Sequence, residues 1–329
     1  DCGIDLLLPG ERRTIYMSVW IQDKPATSKL EFVITQQGQP LKTSLSTASL
    51  SSERAVYWPA DGMVTGIVKN ASDYLVMRPM LTAVFYDEGG KAIGVATGAS
   101  PEFISPHGHA GASLSAPRDL KPARLELFVV PNSVWTFRPV MSDYLALQVA
   151  QPLSISIVGP GGSTGGGQAF FFVTNPNAKA SISSLPSQAT AYDAQGFVLG
   201  VTLSDNLPVI FAGEKVAVIG EEFSIPRGSS IASIEVQISS LVDERDLFDY
   251  RALGIDKNPL SAVDGQYQVE NGPQVTCALK NAWKNSIDSV IVTAVAYDTD
   301  GTIVGFGDQT VSKVMAGEQT KVTIPILMK

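Results

Sequence analysis

The side chains best suited to chemistry are few, and their spacing decides what each can do. The two histidines, His107 and His109, stand in "SPHGHAG". Two positions apart on a strand, they would share a face and offer the start of a metal site. A closed site needs three or four ligands, and no third is identifiable nearby. A polar, solvated loop is the plainer reading. A Ser-His-Asp triad could draw only on these two histidines, and no Gly-x-Ser-x-Gly elbow supports one. "DTDG" (298–301) opens like a calcium loop but lacks the later ligands and the closing Glu. "DERDLFD" (243–249) reads as a solvated charge run that Arg245 partly neutralises. "GPGGSTGGG" (159–167) precedes the strand-like "AFFFVTN", whereas a phosphate loop precedes a helix. It reads as a flexible hairpin loop. The expectation is therefore no catalytic residue, no cofactor site and no metal site.

Two cysteines, Cys2 and Cys277, are too few for a disulfide scaffold, and neither lies in a C-x-x-C pair. A Cys2–Cys277 bridge requires an oxidising compartment. Cys2 beside the start raises lipid attachment, against which Asp1 stands, because such anchors are read at the first residue of the mature chain. Asn70-Ala71-Ser72 is a glycosylation sequon, meaningful only in a secretory pathway that uses it. Trp58 and Trp135, near Pro59 and Pro139, are placed to wedge between domains.

The 329 residues are 44% hydrophobic and 17% charged, which excludes a disordered chain and suggests two or three domains. A net charge of −8 repels phosphate backbones, so nucleic acid is not an expected partner. No apolar run is long enough for a membrane helix.

The elements that must carry these residues announce themselves by repetition. "AVFYDEGGKAIG" (83–94) returns as "ATAYDAQGFVLG" (189–200) and "AVAYDTDGTIVG" (294–305). Tyr86, Tyr192 and Tyr297 are spaced 106 and 105 residues apart. Upstream, Asn70, Asn175 and Asn281 close the apolar runs "MVTGIVKN", "AFFFVTN" and "VTCALKN". Ala83, Ala189 and Ala294 stand three residues before each tyrosine, hence on the opposite face of the strand. They are expected where two sheets approach most closely. The tyrosine would cover the outer face or cap an edge through its hydroxyl. Asp87, Asp193 and Asp298, each with a glycine three residues on, predict a hairpin with a type I turn and a bulge. Short strands with Gly, Pro and Asn between them predict an all-β chain of tandem antiparallel immunoglobulin-like β-sandwiches.

An apolar strand ending in Asn, a strand ending in Tyr-Asp, then x-x-Gly and a "PGE"-like turn together resemble the FxLYD-type domain family over roughly residues 50–329. The name-giving Phe and Leu are replaced by Ala83 and Phe85, Ala189 and Ala191, and Ala294 and Ala296. The resemblance implies an immunoglobulin-like fold, no enzymatic activity, and a modular role at a prokaryotic cell surface or outside the cell.

The ends are expected to be unequal. "PGERRTIYMSVWIQDKPATSKLEFVIT" (9–35) lines up with "AGEKVAVIGEEFSIPRGSSIASIEVQI" (212–238), which is the second half of a unit. The third unit stops after "AGEQTKVTIPILMK". The organisation expected is a half-unit (1–48), sandwiches at 49–141 and 142–246, and a third at 247–329 lacking its last strand. The run from Lys29 to Thr35 would supply that strand, in trans from the next molecule or in cis. A piece of a longer array, cut at both ends, fits the same pattern, as does a half-unit packed on the first sandwich beside a third that closes with its own edge. The functional expectation is a structural or adhesive surface module that partners itself or another surface protein. The alternative is a binding subunit that recognises a protein or glycan through sandwich loops.

Overall fold

The computed structural model describes residues 49–328 except 99–100, 132–136, 158–165, 203–204, 241–246, 249–254, 256 and 271. The chain is all-β, and no α-helix occurs among the described residues. None of their segments is a helix long and apolar enough to cross a membrane.

The first unit comprises β1 (Leu50–Trp58), β2 (Met63–Asn70), β3 (Leu75–Met77), β4 (Met80–Tyr86), β5 (Ala92–Gly98), β6 (Phe103–Ile104), β7 (His109–Ser115), β8 (Arg124–Val130) and β9 (Phe137–Arg138). The second comprises β10 (Gln148–Ile157), β11 (Gly166–Thr174), β12 (Ser181–Ile182), β13 (Pro186–Tyr192), β14 (Val198–Val201), β15 (Asp205–Asn206), β16 (Lys215–Ser224), β17 (Ser233–Ile238) and β18 (Leu247–Phe248). The third comprises β19 (Leu260–Gln268), β20 (Gln274–Asn281), β21 (Ile287–Tyr297), β22 (Ile303–Val314), β23 (Gln319–Pro325) and β24 (Leu327–Met328).

Each unit has two facing sheets. One has the order β1-β2-β7, repeated as β10-β11-β16 and β19-β20-β23. The other centres on β4 between β5 and β8, and on β13 between β14 and β17. Inward residues at period two make the core between them: Leu81, Ala83 and Phe85 of β4 meet Val64, Val68, Ala110 and Ala112. Ala83 and Ala189 are fully buried there, as expected for the closest approach of two sheets.

The repeated motifs repeat in geometry. Asp87 Oδ1 accepts the Lys91 N–H, Asp193 Oδ1 those of Gln195 and Phe197, and Asp298 Oδ1 those of Asp300 and Thr302. Gly90, Gly196 and Gly301 sit at φ 78°, 79° and 79°, and the ladder shifts register just before each tyrosine. The asparagines are buried and clamp the chain where it leaves the second strand. Asn70 Nδ2 donates to the carbonyls of Tyr74, Ile104 and Ser105. Asn175 Nδ2 donates to Ala180 and Ile210, and Asn281 Nδ2 to Asn285 and Val314. Their Oδ1 atoms accept the N–H of Ser72, Asn177 and Trp283.

Units stack through the outer faces of their sheets. The outer face of β1-β2-β7 lies on that of β13-β14-β17, where the Gly111 N–H donates to Thr190 Oγ1 at 3.2 Å. Trp58 packs on the cluster of Ala169, Ala189, Ala191, Leu199, Phe223 and Ile225, so it does wedge this junction; Trp135 lies outside the described residues. The outer face of β10-β11-β16 lies on β21-β22. There Phe170 stacks on Phe306 with centroids 4.7 Å apart, within a cluster that also holds Phe172, Ala217, Ile219 and Val295.

Replacing Asn175 with Ala removes its bonds to the Ala180 and Ile210 carbonyls and leaves the buried Asn177 N–H without its acceptor. Chemical denaturation should read a loss on the order of 3 kcal/mol, with the hydrogen-exchange protection of the second unit falling first.

Candidate functional site

The residues singled out for chemistry do not converge. The His107 ring lies 2.7 Å from Asp73 and the His109 ring 3.1 Å from Glu235, so the two engage different carboxylates. Asp298 uses its carboxylate on its own turn. Among the described residues, no group of three His, Cys, Asp or Glu side chains could hold a metal ion. The acidic run 243–249 and the glycine run 159–167 fall mostly outside the described residues. Cys277 is a free thiol in the core of the third unit, and burial pushes its pKa up; Cys2 lies outside the described residues. The sequon at Asn70 is no glycan acceptor in the folded chain, because the amide that would be glycosylated is buried and donates to three carbonyls.

What the fold does assemble is a polar junction between the first two units. Tyr192 points out of its sheet, and its hydroxyl donates to Glu235 at 2.9 Å. The same carboxylate faces His109 of the first unit. Gln237 Nε2 donates to the His109 carbonyl and Gln188 Nε2 to that of Phe103. At the margin, Arg227 Nε donates to Asp61 at 3.0 Å, and Arg54 Nη1 to the carbonyl of Gly196 at 3.1 Å. Burial first, then the negative charge of Glu235 and the bond to it, hold the Tyr192 pKa well above the usual tyrosine value. Tyr86 repeats the device: its hydroxyl donates to Glu126 at 3.0 Å, and burial is the main cause of its raised pKa.

The second assembled feature is an edge. In the first unit β4 pairs with β5 and β8, and in the second β13 pairs with β14 and β17. In the third unit β21 pairs with β22, and no described strand lies along its other edge. The last described strand, β24, pairs with β22 instead, at Phe306–Leu327 and Gly305–Met328.

The core beneath this edge is correspondingly uncovered. Ala294 and Ala296 are only half-buried, whereas Ala83, Ala189 and Ala191 are fully buried. In the first unit Tyr57 packs edge-on against Phe85 with centroids 4.8 Å apart, donates to the Pro117 carbonyl and accepts the Leu120 N–H. Those partners belong to the segment leading into β8. Tyr267, at the same register position, is 52% exposed, and Tyr297 is also 52% exposed. Sequence reasoning anticipated a missing strand; it did not show that inward-facing residues on both sheets would stand open. The signal available was Tyr267 itself, aligned with Tyr57 through Asn281 and Asn70.

No family model matches the chain, and no curated protein matches it in sequence.

Two outcomes follow from the junction. A Cβ at Gly111 would press on the Thr190 side chain, so Gly111→Val should cost about 1 to 3 kcal/mol in chemical denaturation by overpacking. A raised folded-state pKa favours the protonated form, so the unfolded chain loses this proton first. The stability that Tyr192 contributes is thus whole below its ordinary value of 10.0 and falls as pH rises past it. Urea midpoints measured from pH 8 to 11 should fall less steeply in Tyr192→Phe than in the parent.

Proposed function

We propose that the protein is a non-enzymatic, extracytoplasmic structural or adhesive chain of tandem immunoglobulin-like sandwiches that assembles by strand complementation. The observation that carries this reading is the edge of β21, beside which no described strand lies, above a half-open core. Backbone N–H and C=O groups along such an edge are a template for another strand, and natural proteins cover or blunt edges that are not meant to pair.

The occupant is the run from Lys29 to Thr35, which lies outside the described residues. Its sequence matches β17, whose register on β13 is Ser233 opposite Tyr192, Ile234 opposite Ala191 and Val236 opposite Ala189. The same register on β21 sets Leu30 opposite Ala296 and Phe32 opposite Ala294, both facing the core, and Glu31 outward like Glu235. A phenylalanine over an alanine fills the space that the half-buried pair leaves. Donation from a second copy builds a head-to-tail chain, because the donor strand and the acceptor edge are different surfaces. Donation within one copy closes a ring. The resemblance to FxLYD-type domains supports a surface role.

Phe32→Pro removes a ladder donor and a core side chain from the donor. If the reading is right, the parent protects the β21 amides from hydrogen exchange and Phe32→Pro exposes them. In the trans case light scattering also shows the variant losing mass. Unprotected β21 amides in the parent, or unchanged protection in the variant, would refute strand complementation.

A further inference from the structure

The stacking rule leaves one face to explain, and it is independent of the β21 edge. At both junctions a strand of the preceding unit presents a small residue to the strand of the next that ends in the Tyr-Asp pair. Gly111 of β7, opposite Ile67, meets Thr190. Ala217 of β16, opposite Phe172, shares a cluster with Val295. Thr190 and Val295 occupy one register position, two residues before the Tyr-Asp pair, and Val84 is its counterpart in the first unit.

Val84 therefore points out of its sheet, between Val95 of β5 and Glu126 of β8, and it belongs to none of the described core clusters. Yet it is 2% exposed in the whole chain, against 3% for Thr190, which a neighbouring unit covers. Met80 and Phe128 make an apolar rim around it. Its centre is buried, whereas Met80 and Phe128 on its rim are 38% and 36% exposed, the pattern of a face covered over its middle.

We propose that residues 11–20 of the same chain cover it, as a strand laid across β4 in the manner of β7 and β16. The argument is register and charge. Gly10-Glu11 aligns with Gly213-Glu214, so Thr14 takes the place of Ala217 and Gly111, and Tyr16 that of Ile219, a residue of the second junction. Arg12 takes the place of His109, whose partner at the first junction is Glu235. The counterpart of Glu235 on the first unit is Glu126, which stands opposite Val84 as Glu235 stands opposite Thr190. Glu126 already accepts from Tyr86 and Arg124, as Glu235 accepts from Tyr192 and Gln237 while facing His109, so Arg12 would join a carboxylate shared in the same way. The third unit offers no competing cover of this kind, because its stacking face carries Lys321 where the first two units carry Gly111 and Ala217, and Lys321 is exposed. A lysine there is costly to bury without a partner.

A disulfide tests the geometry in the full-length chain with Cys2→Ser. At the first junction a Cβ on Gly111 would lie 3.0 Å from Thr190 Cβ, near disulfide range. Thr14→Cys with Val84→Cys should oxidise to a bridge within one copy, found by peptide mass, at a yield at least tenfold above Thr14→Cys with Lys321→Cys. No bridge, a bridge only between two copies, or equal yields would overturn the proposal. Should Val84→Cys fail to fold, Phe128→Cys on the rim serves instead. Its labelling by a bulky maleimide should speed up several-fold when Tyr16→Asp is added, and an unchanged rate would overturn the proposal. Neither readout touches β21 or residues 29–35, so strand complementation can fail while this cover stands, and the reverse.

Discussion

Each unit depends on one buried primary amide. The chain leaves the second strand of one sheet and must cross to the other, and in crossing it forfeits the ladder partners of several carbonyls. Those nearest the core need a donor from the protein itself. The asparagine amide offers two donors and an acceptor on a short, stiff stem. At Asn70 the donors go to Tyr74, Ile104 and Ser105, and the acceptor to Ser72. Asn175 and Asn281 do the same with their own neighbours. An apolar side chain would fill the space but supply neither the donors nor the acceptor. With the corner set, the facing sheets sit at a spacing that admits only alanine at Ala83 and Ala189.

A second constraint grows from the first. A sandwich of this size has two outer faces, and the described stacking covers one on the first unit, both on the second and one on the third. That is why β11 reads as a near-continuous apolar run rather than an alternating one: both of its faces are buried. The chemistry of the two junctions differs. One is polar, with Glu235 shared between Tyr192 and His109. The other is aromatic, built on Phe170 and Phe306. A polar junction sets orientation through directional bonds, whereas an aromatic one gains from area and tolerates small shifts. The third unit breaks the series twice, with Lys321 on its stacking face and no described strand beside β21.

Much of the fold was legible in the residues. Tyr-Asp-x-x-Gly carries its own turn chemistry, so the hairpins and their bulges could be read locally. The asparagine that ends each apolar run was visible as a recurrence, but not its bonds, because its partners come from segments up to 35 residues away. The bulge in the first strand of each unit left no trace. It places Arg54, Gln151 and Asp264 at φ 52°, 52° and 56°, three residue types with nothing in common, held left-handed by the ladders on either side. The sequon at Asn70 misled for the same reason: three adjacent residues say nothing about burial.

By itself the sequence determined the repeat, the strand periodicity and the turns, because these rest on interactions among residues close along the chain. Only the tertiary structure decided that Thr190 and Phe306 lie beneath a neighbouring unit, that His107 and His109 part company, and that Ala294, Ala296 and Tyr267 stand open. Burial is a property of what arrives from elsewhere in the chain, and identical local motifs acquire different surroundings when one of them lacks a neighbouring strand.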